Sequence, residues 1–181
     1  MSRIAVVPIE SATSEQKLLF DAIQSQLGVV PNFLKVFANS PAALRAFLGL
    51  HAIAGDGSLD PLTRERIALA VAQQNACEYC VSAHTAIGRK AGLSAPEIEA
   101  NRAGTSTDAK AAAAVAFSRS LVEHMGDVTA TELAEVRSAG YSDAEIVEII
   151  THVGMNIITN MLGRASRVDI DFPKVELKQA A

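Results

Sequence analysis

The sequence contains no tryptophan, only two cysteines among 181 residues, and no cluster of lysine and arginine. Its net charge of −4 argues against nucleic acid or an anionic membrane as a partner, because both are bound through clustered basic residues. No uninterrupted apolar run approaches the ~20 residues that span a bilayer, and residues 1–10 lack the pattern of a signal peptide. We therefore expect a cytoplasmic protein without a membrane partner.

Enough of the chain is apolar, 49%, to form a compact core. No linker or low-complexity segment divides it. We expect a single helical domain over residues 1–181, with an N-terminal helical extension over about 1–55, a core over about 56–165 and a tail over 166–181.

Helix boundaries are marked by polar N-cap residues and by glycines that follow the helices. Three capping boxes are expected, at Ser94 with Glu97, Thr129 with Glu132, and Ser142 with Glu145. Alternating strand patterns are almost absent, so the fold class is all-α, with residues 4–9 and 168–181 as extended arms. The predicted helices span residues 14–27, 32–38, 41–54, 61–74, 77–91, 95–103, 108–125, 130–139 and 143–162.

Both cysteines lie in residues 77–84, CEYCVSAH, and a histidine follows one helical turn later. On a helix, Cys77, Cys80 and His84 fall within about 60° of one another, so two thiols and an imidazole share one face. The apolar-periodic run begins near Cys77 and places both thiols in a first turn, where the pKa of a thiol falls. In a reducing compartment such a pair is more often catalytic, redox-cycling or metal-binding than a structural disulfide.

Glu65 lies on the preceding helix, on a stripe formed by Leu62, Ala68, Leu69 and Ala72. A carboxylate on an apolar face is costly unless it is paired, which makes Glu65 a candidate general acid or base. The alternative is a structural role as a first-turn partner of the helix dipole. The short connection over 73–76 would fold the thiol helix back toward Glu65.

The spacing of Glu65, eleven intervening residues, and then Cys77-x-x-Cys80-x-x-x-His84 resembles a known signature. It is similar to that of the alkyl hydroperoxidase D (AhpD)-like branch of the carboxymuconolactone decarboxylase superfamily. The flanking sequences agree with the peroxidase-related subgroup of that branch over most of the chain: PNFL at 31–34, SPA at 40–42, LTRER at 62–66 and HT at 84–85.

This resemblance implies an all-helical fold of about eight to nine helices, a trimeric or hexameric assembly, and an enzyme that reduces organic hydroperoxides without a cofactor. Cys80, the more buried sulfur, would be deprotonated through His84 and Glu65, attack the peroxide and become a sulfenic acid. Cys77, nearer the surface, would resolve it to a disulfide, which an external dithiol or a disulfide-reducing protein would reduce. Tyr79 stands where the family can have a histidine, and would be a weaker proton donor or a pocket wall.

Two other histidines need an explanation. His152 shares its long helix with several polar residues, and it could line the active pocket, although a structural or interface role is favoured. His51 follows an apolar helical stretch and is interpreted as a core or interface histidine.

Two other functions remain open. The thiol pair could act as an adaptor that passes electrons to a partner peroxidase. Alternatively, Cys77, Cys80, His84 and Glu65 could be four zinc ligands of a structural module, although three ligands from one continuous helix would be unusual.

Overall fold

The computed structural model describes residues 2–178, and within them the chain is all-α, as predicted, with no strand. A 3₁₀ turn at Ile9–Ser11 precedes the first helix. The helices are α1 Ser14–Leu27, α2 Asn32–Phe37, α3 Pro41–Gly55, α4 Pro61–Gln74, α5 Glu78–Ala91, α6 Ala95–Arg102, α7 Ala109–Glu123, α8 Ala130–Ser138 and α9 Asp143–Ser166.

Side-chain caps begin most of these helices. Asp60 accepts a hydrogen bond from the backbone N–H of Thr63 at 2.9 Å, and the capping boxes at Thr129 and Ser142 are both complete. The predicted box at Ser94 is wrong in one half. Ser94 does accept from the Glu97 N–H, but the Glu97 carboxylate is held elsewhere, by Arg66 and the 105–107 loop.

The centre of the fold is α4, which packs against α5, α6, α7 and α9. Its residues 67–72 are all buried, as expected for a helix that is apolar on every side. One core cluster joins the first three helices to the beginning of α5 and to the C-terminal tail, and a second joins α4 to α7, α8 and α9. The thiol helix therefore lies between the N-terminal helices and the core helix α4.

Helix α9 is longer than predicted, because Gly163 does not end it. A Cβ atom at residue 163 would lie 2.9 Å from Cys77 Sγ and 3.6 Å from Cys80 Sγ. The glycine therefore serves close helix packing. By length and composition alone α9 could also cross a membrane, with a mean hydropathy of 1.3, but core helices of soluble proteins pass the same test.

The C-terminal residues 168–178 form the expected extended arm, and they run across α5 and α4. The Val175 N–H donates to Ser82 Oγ at 3.0 Å, and the Gln73 amide donates to the Lys178 carbonyl at 3.2 Å. Arg102 Nη2 donates to the Glu176 carbonyl at 2.6 Å. The tail is thereby attached to the helix that carries both cysteines. Residues 179–181 of the predicted arm lie outside the described residues.

Candidate active site

The turn between α4 and α5 places the sulfur pair beside the core helix. Ala76 has a left-handed backbone conformation, with φ of 51°, and the Cys77 N–H then donates to the Ala72 carbonyl at 2.9 Å. This reversal makes α4 and α5 antiparallel neighbours, so residues near the middle of each helix face one another.

Cys77 and Cys80 form a disulfide, with a Cα–Cα distance of 5.3 Å. Cys77 is the N-cap of α5, which begins one residue after the predicted start at residue 77, and its sulfur accepts from the Cys80 N–H at 3.3 Å. A sulfur in this position is stabilised as a thiolate by the exposed N–H groups of the helix end.

The expected order of burial is wrong. Cys77 is 1% exposed and Cys80 is 4% exposed, so the N-cap sulfur is not the one nearer the surface. The cause is α9, whose Gly163 backbone packs directly onto Cys77. A sequence pattern on α5 gives no indication of a contact from a helix eighty residues away.

The structure brings Glu65 and His84 together. His84 Nδ1 donates to Glu65 Oε2 at 2.8 Å, and the two side chains are 23% and 18% exposed. A carboxylate bonded to Nδ1 fixes the orientation of the ring and leaves Nε2 to exchange a proton. The pair therefore has the arrangement of a general base with its orienting acid.

His51 on α3 lies near this pair, which the sequence did not predict. His51 is exposed, so it is not the core histidine that one interpretation of the sequence expected. Partial burial of its ring lowers the pKa of His51, and the neighbouring His84 lowers it further. Its ring is 6.0 Å from that of Phe47. No spacing relates α3 to the α4–α5 motif, so only tertiary packing reveals that a second imidazole faces the Glu65–His84 pair.

Tyr79 attaches the tail to the thiol helix, although the sequence suggested a proton donor or pocket wall. Its hydroxyl donates to Asp171 Oδ1 at 2.7 Å and accepts from the Phe33 N–H at 3.3 Å. Burial and the Asp171 carboxylate raise the pKa of Tyr79. The phenol is thus held as a hydrogen-bond donor to the tail. The Tyr79 side chain also lines an open groove between α9 and the tail.

His152 lies apart from the sulfur pair. It is 4% exposed, and its Nε2 has no hydrogen-bond partner among residues 2–178. Burial lowers the pKa of His152, and the charge of Arg64 lowers it further. Its ring lies beside Ala54, near the C-terminal end of α3.

An open groove of about 1130 Å³ lies where α5 begins, between the end of α9 and the tail. Cys77 contributes to its wall, whereas Cys80, Glu65 and His84 are absent from the described residues that line it. Polar and basic side chains also line the groove, among them Arg3, Asn75, Asn160, Arg164 and Arg167.

The four side chains suggested as zinc ligands do not form one site. The two sulfurs form a disulfide with each other, and Glu65 is hydrogen-bonded to His84. In residues 2–178, no three His, Cys, Asp or Glu side chains are grouped so that they could hold a metal ion. The structure therefore contains a disulfide and a separate carboxylate–imidazole hydrogen bond in place of one four-ligand site.

Fold and site together define an all-α protein with a cysteine pair at the N-terminal end of a central helix. Residues 41–123 match the model of the carboxymuconolactone decarboxylase family. Over these residues, which are fewer than half of it, the chain is similar to that family.

Several solved structures share the fold of this chain. A peroxidase-related protein from Silicibacter sp. is 26% identical, with a TM-score of 0.81 over 92% of this chain and 89% of that one. An alkylhydroperoxidase AhpD core protein from Ralstonia eutropha is 22% identical, with a TM-score of 0.85 over 94% and 92%. The debrominase Bmp8, in complex with 2,3,4-tribromopyrrole, is 20% identical, with a TM-score of 0.78 over 94% of each chain.

A protein of Haemophilus influenzae of undescribed function is 53% identical over 45 residues. The match covers 24% of this chain and 40% of the length of that relative.

Proposed function

We propose that this protein is a thiol-dependent peroxidase that reduces organic hydroperoxides. The observation that carries the proposal is the hydrogen bond between Glu65 and His84. His84 lies one helical turn after Cys80, which forms a disulfide with Cys77. The peroxidase-related neighbours support the same chemistry.

The oxidative half of the cycle begins from the reduced pair. His84 takes the Cys80 proton, and the Cys80 thiolate attacks the terminal oxygen of the hydroperoxide. This attack breaks the O–O bond. The leaving alkoxide takes the proton back from His84 and departs as an alcohol, while Cys80 becomes a sulfenic acid. Glu65 stabilises the imidazolium that exists between these two proton transfers.

Cys77 completes the cycle. Its thiolate, held at the N-terminal end of α5, attacks the sulfenic sulfur and displaces hydroxide, which leaves as water with the proton that the Cys77 thiol gave up. The product is the Cys77–Cys80 disulfide that the structure contains. An external thiol then reduces this bond and returns both sulfurs to the reduced state.

The roles of the two sulfurs are tested by single substitutions in a peroxide-consumption assay with a generic dithiol. Cys80→Ser should abolish turnover, because the attacking sulfur is lost. Cys77→Ser should consume one equivalent of cumene hydroperoxide and then stall as a sulfenic acid, which dimedone would trap for mass spectrometry. Equal residual cycling in both variants would refute the assignment.

Glu65→Gln in the same assay tests the proton relay. The thiol of Cys80 should titrate at higher pH, and turnover at neutral pH should fall by about 10²-fold, the size of one general-base contribution. Glu99→Gln, on the exposed face of α6, is the matched control and should leave the pH profile unchanged. An unchanged profile in Glu65→Gln would remove this residue from the mechanism.

The alternative of a dithiol adaptor makes a different prediction in this assay. An adaptor would exchange its disulfide rapidly with thiols but consume no peroxide alone. Disulfide exchange without peroxide loss would therefore favour the adaptor.

A further inference from the structure

The two faces of the sulfur pair have different surroundings. The Glu65–His84 pair lies on the α4 side of α5, whereas the groove lies where α5, α9 and the tail meet. Of the two sulfurs, Cys77 belongs to the groove wall. Although Cys77 is only 1% exposed, it is the sulfur that borders the groove, on the side away from the acid–base pair.

The groove is rich in basic side chains. Arg3, Arg164, Arg167 and Lys174 line it, together with the acids Glu78 and Asp169. Lys174 is engaged with Glu78 at 3.3 Å. Because the whole chain carries a net charge of −4, an excess of cations in one concave site is a local feature of this surface.

Asn160 adds an unused hydrogen-bond donor to the same wall. It is 1% exposed, and its Oδ1 accepts from Asn75 Nδ2 at 3.0 Å. Its own amide nitrogen is buried and has no hydrogen-bond partner among the described residues. A buried donor without a partner is costly, and an acceptor oxygen of a ligand would satisfy it.

We propose that this groove binds the reductant and that the reductant is a small thiol carrying a carboxylate. The volume of about 1130 Å³ is that of a small-molecule cleft. The carboxylate would lie against the arginines, with the thiol directed at Cys77. The inference rests on the proposed function only in requiring that the disulfide be reduced during turnover.

The chemistry consumes two thiol molecules. The first thiolate attacks Cys77 Sγ, forms a mixed disulfide with it, and releases Cys80 as a thiolate. A second thiolate attacks the reductant sulfur of that mixed disulfide, which releases the Cys77 thiolate and a disulfide of the reductant. The two protons of the consumed thiols end on Cys77 and Cys80, so the pair is reduced by two electrons.

The test compares 3-mercaptopropionate with 3-mercaptopropionamide, which differ in charge but share one carbon skeleton. Reduction of the oxidised protein is followed without peroxide, and each rate is divided by the rate of the same thiol with hydroxyethyl disulfide. We expect a preference of about tenfold for the carboxylate, decreasing as salt is raised toward about 1 M.

Arg164→Gln and Arg3→Gln locate the binding site. Each should lower the preference severalfold, whereas Arg89→Gln, an equal charge change at the far end of α5, should leave it intact. Arg167 is left unchanged, because its φ of 46° makes substitution there a backbone perturbation.

Equal corrected rates for the two thiols would overturn the proposal, and so would a preference that Arg164→Gln and Arg3→Gln do not alter. Because no peroxide is present, failure here is independent of the peroxidase assay. A protein without peroxidase activity can still show the preference, and an active peroxidase can lack it.

Discussion

Gly163 contacts the sulfur pair through bare backbone, and no larger residue fits there without movement of its neighbours. The atom nearest to a Cβ at residue 163 would be Cys77 Sγ, which belongs to a disulfide and cannot rotate away as a free thiol can. Gly49, within α3, has open space around the position of an added Cβ atom. The two glycines therefore separate the effect of packing from the effect of helix propensity.

Gly163→Ala should lower the free energy of unfolding of the oxidised protein by about 1–2 kcal/mol, because the overpacking cost exceeds the gain in helix propensity. Gly49→Ala should instead stabilise it by up to about 1 kcal/mol. Urea denaturation measures both. Equal stabilisation by the two substitutions would show that the contact with Cys77 carries no strain.

The residues that share one local motif were the ones predictable from sequence. Glu65, Cys77, Cys80 and His84 lie on two consecutive helices, so helical periodicity and one short turn suffice to group them. The contacts of His51 and Gly163 were not predictable, because they depend on how α3 and α9 pack. Burial of Cys77 was missed for the same reason.

At the level of elements, Glu97 ties α6 to the core helix. Its carboxylate accepts from Arg66 Nε at 2.7 Å, from Asn101 Nδ2 at 2.9 Å and from the Thr107 N–H at 2.8 Å. Burial alone would raise the pKa of Glu97, but hydrogen bonds from Ser106, Thr107 and Asn101 outweigh it and hold that pKa below its ordinary value.

Glu97→Gln should reduce the free energy of unfolding at pH 7 by about 2–4 kcal/mol, since it leaves the half-buried charge of Arg66 without a partner. Glu99→Gln, whose side chain is 54% exposed, should cost less than about 1 kcal/mol.

The pH dependence of this effect follows from the lowered pKa of Glu97. The unfolded chain takes up the proton near its ordinary pKa of 4.5, whereas the folded protein does so only at lower pH. The stabilisation is therefore complete above pH 4.5 and declines as the pH falls below it. A gap between wild type and Glu97→Gln that persists undiminished in acid would contradict this account.

Most helix boundaries were predictable because caps and glycines are local signals. The exceptions have tertiary causes. Gly163 lies inside α9, where it leaves room for the sulfur pair, and does not mark the end of the helix. The Ser94 N–H does not donate to the Glu97 carboxylate, because that carboxylate binds Arg66. The attachment of the tail to Tyr79 and Ser82 was also not predictable from a local pattern.

At the scale of the whole molecule, α9 presents an apolar stripe that no described residue covers. Val147, Ile150 and Ile158 are 61%, 44% and 48% exposed, at the spacing of one helix face. Apolar stripes of this kind mark association surfaces more often than free surface. We propose that the chain forms a trimer or hexamer in which this stripe is covered.

Light scattering should therefore give a mass that is three or six times the chain mass of 19.0 kDa. Ile150→Glu should shift the mass toward the single chain, whereas Leu18→Glu, at a 73% exposed position on α1, should not. A wild-type protein that scatters as a single chain would refute the assembly.

The position of Tyr79 between the two sulfurs has an optical consequence. With two tyrosines and no tryptophan, the chain emits ultraviolet fluorescence from phenol rings alone. Tyr79 shares a core cluster with both cysteines, while Tyr141 lies in the other core cluster. Since a neighbouring disulfide quenches phenol emission, the fluorescence of Tyr79 reports whether the cysteine pair is oxidised. Tyr141 provides a reference signal at the same wavelength.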